Sequence, residues 1–126
     1  MLRIVGVQSG EEACDEFVLL QNQGVLKIHL RGTILTDEFA FCGGEGFNPD
    51  RMFVFSDDVV VPPSAYVMVV TGPGRDGWSR SRDGSPVYFA YWNRSKPVWS
   101  QASAPLHVLG VLHTKMPSAP VSRAAG

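Results

Sequence analysis

Charge is scarce in this chain: Lys, Arg, Asp and Glu together make up 18% of its 126 residues. That is too little for a chain held open by self-repulsion, and 44% apolar residues supply ample material for a single core. Cysteine is nearly absent, Cys14 and Cys42 being the only two. A multi-bridge framework is thereby excluded, while one Cys14–Cys42 bridge and two free thiols both stay open. Histidine is as sparse, and His29, His107 and His113 share no ligand spacing with either cysteine, so no metal motif is written here. Long apolar runs are missing too. Nothing nears the roughly 20 residues of a spanning helix or the pattern of a signal peptide, which points to a cytoplasmic protein with no membrane insertion, or to an exported one if a longer precursor carried the signal.

Turn formers are what the chain has in quantity. Thirteen glycines and nine prolines are spread among many short apolar runs, and no window shows helical periodicity. Strands are predicted at Leu2–Val7, Glu16–Asn22, Val25–Leu30, Thr33–Thr36, the RMFVF run at 51–55, Val59–Val61, Tyr66–Thr71, Val87–Trp92 and Leu106–Leu112. YVMVVT is the clearest of these, apolar on both faces and hence central and buried. VLKIHL alternates as a half-buried strand should. The glycines and proline of 39–51 predict an irregular insertion, and GPGRDGWSRSRDGSP at 72–86 predicts a long basic loop. Short strands at this spacing make an all-β, Greek-key domain of residues 1–114, with a small barrel as competitor and residues 115–126 as a flexible C-terminal tail.

Four pieces, in order, resemble the lamin-tail domain family. EFVLLQNQG at 16–24 is similar to the family's strand and its Asn/Gly turn. HLRGTILTD at 29–37 matches its Leu, Gly and terminal Asp signature at Leu30, Gly32, Leu35, Thr36 and Asp37, but Thr33 stands where the family usually has Trp. FVFSDDVVVPPSAYVMVVTGPG at 53–74 resembles the aromatic run, proline turn and central strand. YWNRSKPVWS at 91–100 resembles the segment before the closing strand, with Trp92 and Trp99 as core anchors. The resemblance implies an immunoglobulin-like Greek-key β-sandwich of the kind found in bacterial members, with no catalytic centre of its own.

The charges are unevenly distributed: residues 1–70 hold ten acidic and four basic side chains, residues 71–126 two acidic and seven basic. Arg75, Trp78, Arg80, Arg82, Arg94 and Lys96 form the candidate binding surface, since cations beside an indole can engage carboxylates, phosphates or a partner's rings. The bland reading is a solvated loop. The Gly-rich segments GPGRDG and CGGEG lack the spacing of phosphate-binding loops and read as turns. Asp37-Glu38 and Asp57-Asp58 read as polar strand ends; catalysis would require Asp37, Asp57 and Asp58 to meet around a metal. The sequence therefore points to a non-enzymatic protein-interaction or structural scaffolding module, self-association included. A nucleic-acid-associated module using the basic loop surface is the alternative, and no cofactor or metal is expected.

Overall fold

A computed structural model describes residues 1–42, 48–99, 104–111 and 113–117, apart from the side chains of Phe41 and Cys42. It is an all-β fold of three sheets. The strands are β1 (Leu2–Gln8), β2 (Phe17–Asn22), β3 (Ile28–His29), β4 (Ile34–Asp37), β5 (Met52–Val54), β6 (Val60–Val61), β7 (Tyr66–Val70), β8 (Gly77–Arg80), β9 (Pro86–Tyr91) and β10 (Leu106–Leu109). The largest sheet runs β1-β2-β7-β9-β8, a second runs β10-β4-β5, and β3 pairs with β6. All pairings are antiparallel except β7 with β9. No helix among the described residues is long and apolar enough to cross a membrane.

Strand alternation divides the large sheet into two faces. Val18, Leu20, Val67, Val69, Tyr88 and Ala90 point inward and join Leu30, Leu35, Phe55, Val61, Val98 and Trp99 in one buried cluster. The core therefore lies between the large sheet and the smaller ones, which fixes register, because a one-residue slip would turn the inward set outward. β7 sits at the centre of the large sheet, as its doubly apolar sequence predicts. Trp99 is buried, and Trp92 packs against it with ring centroids 5.1 Å apart, so both tryptophans anchor the core. Thr33 is itself buried. Gly32 turns the chain into β4 with φ +86°, a conformation that any Cβ would strain.

Three buried polar residues tie the strands together. Asn22, fully buried at the end of β2, donates to the carbonyls of Leu26 (2.9 Å) and Val61 (3.0 Å) and accepts from the Gly24 N–H (3.0 Å). The Glu16 carboxylate Oε1 accepts from Thr71 Oγ1 at 2.6 Å and from the N–H groups of Val98 and Trp99 at 2.9 and 3.1 Å. Asp37 ends β4 in a bidentate pair with Arg51, at 2.9 Å from Nε and 2.6 Å from Nη2 to Oδ2, and Arg51 Nη2 also donates to the Val98 carbonyl at 3.0 Å. Each replaces backbone partners that no strand ladder supplies at those points.

Several predicted elements differ. VLKIHL yields only the two-residue β3; Val25 and Leu26 are 91% and 76% exposed, because β6 offers just two residues of partner before Pro62-Pro63 removes further donors. The 72–86 segment is not one loop: β8 lies within it and forms a hairpin with β9. The 39–51 insertion contains a helical turn, α1 (Phe39–Cys42), and a 3-10 turn at Pro49–Arg51 capped by the Asn48 side chain. Asp37 is not a solvated strand end but 1% exposed. Cys14 carries a free, exposed thiol, and the Cys42 side chain lies outside the described residues. Of the expected tail, residues 115–117 are exposed without regular structure, and 118–126 lie outside the described residues.

Candidate interaction surface

The second face of the large sheet is apolar as well. Its central row runs Leu19, Met68 and Phe89 across β2, β7 and β9, with Gly6 of β1 beside Leu19 and Gly77 of β8 beside Phe89. A parallel row sets Tyr66 beside Val87, and the next brings Phe17, Val70 and Tyr91 into line. Most of these side chains are half-buried only because they cover one another; the Phe89 and Tyr91 rings stack with centroids 6.4 Å apart. Nothing lies within 4 Å of where a Cβ on Gly77 would stand, so the platform is open at that edge. A sheet with one solvated face normally alternates apolar with polar residues, and this one does not.

The β8–β9 hairpin forms the charged rim. Leu19, Tyr66, Met68 and Phe89 line a cleft of about 550 Å³ together with Arg80 and Arg82. Gly84, at φ +86°, closes the turn, and Arg80 Nη1 donates to its carbonyl at 2.8 Å. Asp83 accepts from Ser81 Oγ and from the Ser85 N–H at 3.0 Å. Those bonds, the Ser81 hydroxyl first, hold its carboxyl down to about 2. Because the folded value is depressed, the contribution is present above the ordinary carboxylate range and is lost only as pH falls towards about 2. The Asp83 side-chain carboxyl carbon shift is expected to titrate with a midpoint near about 2; a midpoint in the ordinary carboxylate range would contradict this.

The six residues singled out from sequence are not brought together in one place. Arg80 and Arg82 line the cleft on the apolar face. Trp78 sits on β8, the edge strand of the large sheet; it is 47% exposed and packs its ring against Tyr88 with centroids 5.4 Å apart. Arg94 and Lys96 line a different cleft of about 560 Å³ that also contains Glu11 and Glu12, and the Arg94 guanidinium lies over the Trp92 ring at 5.1 Å. Arg75 is exposed in the loop before β8 and lines neither cleft. The basic residues thus share no single cleft, and each of the two clefts also holds acidic side chains, Asp83 in one and Glu11 and Glu12 in the other.

The carboxylates do not gather as a catalytic reading would require. Asp37 is engaged by Arg51, Asp58 lies 3.2 Å from His29 Nδ1, and Asp57 lines a separate small cleft. Among the described residues, Glu12, Cys14 and Asp15 bring ligand atoms within 4.8 Å of one another, all exposed. Desolvation, then Asp15 and Glu12, raise the Cys14 thiol above its ordinary value. Sequence reasoning passed over the apolar platform, because a near-continuous apolar strand does not say what covers each face. No family model, no curated protein and no solved structure matches this chain.

Proposed function

We propose that this chain is a non-enzymatic interaction module that associates with a second copy of itself through the outer face of its large sheet. The observation that carries the proposal is the Leu19–Met68–Phe89 row, an apolar band crossing three strands with glycines at both ends. A flat apolar face is self-complementary under two-fold symmetry, and sheets pack face to face at about 10 Å. The rim favours the same occupant. Arg80 and Arg82 stand beside an anionic Asp83, so a rotated copy can set cation against carboxylate. Trp78, exposed on the edge strand, supplies a further contact for a partner.

The core between the sheets, the packing of partly buried Trp92 on buried Trp99 and the Asp37 terminus of β4 support an immunoglobulin-like Greek-key sandwich of the lamin-tail type as the architecture of this module. Sedimentation velocity tests the function. The wild type is expected to dimerise at tens of micromolar or below, and Met68→Asp and Phe89→Asp to sediment as monomers with unchanged circular dichroism, since both side chains point away from the core. A wild type that stays monomeric, or a Phe89→Asp dimer of undiminished affinity, would overturn the proposal. Steep, salt-sensitive uptake of an oligonucleotide by the wild type would favour the nucleic-acid reading instead.

A further inference from the structure

β8 is the last strand of the large sheet, and its outer edge is bare. It pairs with β9 alone, in an unbroken register from Gly77 opposite Phe89 to Arg80 opposite Pro86. The hairpin shows which backbone groups that pairing uses. Ser81 N–H donates to the Ser85 carbonyl at 2.9 Å, and bonded positions alternate along an antiparallel ladder. Gly77 and Ser79 therefore face β9, while the N–H and C=O groups of Trp78 and Arg80 point away from it. Among the described residues nothing pairs with those outward groups. The opposite edge of the sheet is different: β1 carries a register shift between Ile4 and Gly6, an irregularity of the kind that blunts a strand edge, and β8 carries none. Trp78, Ser79 and Arg80 are all exposed and line an open cleft with Pro86.

A copy of β8 laid antiparallel along this edge satisfies every outward group of both strands in one register only. The two-fold axis then passes through Ser79, and Trp78 of each chain stands opposite Arg80 of the other. An axis at Arg80 would set that cation against itself, and one at Trp78 would leave Arg80 to bond outside the strand. The sequence fits the Ser79 register at each position. Each Trp78 indole gains a cation beside it. Gly77 comes opposite Ser81, two small residues that let the backbones approach. Beyond the strand, Asp76 comes opposite Arg82 and Arg75 opposite Asp83, so that RDGWSRSRD, read against its own reverse, opposes no like charges.

We propose that β8 pairs edge to edge with β8 of a second copy in this register, joining two five-stranded sheets into one continuous sheet. The edge is distinct from the platform, which is a face of the same sheet, and the pairing does not rest on association through that face. Each surface is self-complementary, so a chain that uses both holds two different neighbours and assembles beyond the dimer. A short strand with few backbone bonds buries little area, which makes the edge the weaker contact of the two.

Phe89→Asp isolates the edge, because it removes the platform contact and leaves the outward groups of β8 in place. Raised to about a millimolar, this variant is expected to show saturating amide-proton shifts at Trp78 and Arg80 and a diffusion coefficient falling towards that of a dimer. Asp76→Arg in the same background sets like charges against Arg82 at both ends of the interface and is expected to weaken pairing about tenfold. Adding Arg82→Asp restores opposite charges, and the doubly changed chain is expected to pair with itself about as tightly as the parent does, but not with the parent. Asp76 also accepts from the Tyr91 N–H, so recovery in the double variant separates a lost charge pair from a disturbed hairpin. Shifts confined to β1 or absent at about a millimolar, undiminished pairing by Asp76→Arg, or a double variant as weak as the single one would each overturn the proposal. Any of these beside an intact wild-type dimer would leave the platform standing; edge pairing by Phe89→Asp beside a wild type that forms no tighter dimer would sink the platform and keep the edge.

Discussion

Glu16→Ala is expected to destabilise the domain by about 3–5 kcal/mol, the range in which a single buried group decides whether a small domain folds. The Glu16 side chain is fully buried and gathers three donors onto one oxygen: the Thr71 hydroxyl from the end of β7 and the successive N–H groups of Val98 and Trp99. Residues 97–99 form no strand, so no ladder stands ready to take those N–H groups once the carboxylate is gone. Each buried donor left without an acceptor costs about 1–3 kcal/mol, and the vacated volume adds to it. Glu16→Gln retains an oxygen at the same reach and is expected to cost only about 1–2 kcal/mol, the difference between a charged and a neutral acceptor. Urea denaturation of the three proteins reads this directly; an alanine variant within about 1 kcal/mol of the wild type would show that the Val98–Trp99 segment finds other partners.

Arg51→Ala should cost a comparable amount, about 3–5 kcal/mol, for a different reason. Asp37 is 1% exposed, and Arg51 alone among the described basic residues pairs with it, through Nε and Nη2. Truncating the arginine leaves a buried carboxylate with only the Ala40 N–H (3.2 Å) to offset its charge among the described residues, and releases the Val98 carbonyl. The paired replacement Asp37→Asn with Arg51→Met removes both charges and is expected to recover more than half of the loss, because an uncompensated ion costs more than the absence of the pair. A double variant as unstable as Arg51→Ala would contradict this and would mean that packing of the Arg51 stem, which lies near the Phe39 ring, dominates.

β7 was legible from its residues because YVMVV is apolar at every position, as suits the central strand of a sheet; that the Tyr66 and Met68 side of it stays uncovered was not. β8 was not, because GWSR has neither alternation nor apolar mass and is a strand only by pairing with β9. VLKIHL shows the opposite failure. Its alternation is real, but alternation needs a partner strand, and the partner ends at two prolines. The buried Glu16, Asp37 and Arg51 were invisible for a shared reason: a polar residue at a strand end reads as surface until the segment that covers it, here Val98 and Trp99, is placed in space. Arg80, Arg82 and Trp78 were picked out correctly as exposed side chains, but what unites the two arginines is the apolar platform beneath them, and apolar residues alone carry no mark of which face remains uncovered.

The most direct test of the platform is a mixed sample in which one population of the chain is carbon-13 labelled and the other is not, with intermolecular Overhauser contacts recorded between them. Self-association through this face predicts contacts from the methyl groups of Leu19 and Met68 to the Phe89 and Tyr66 rings of the unlabelled copy. Contacts confined to the β1 or β8 edges, or none at a concentration where the chain sediments as a dimer, would contradict it.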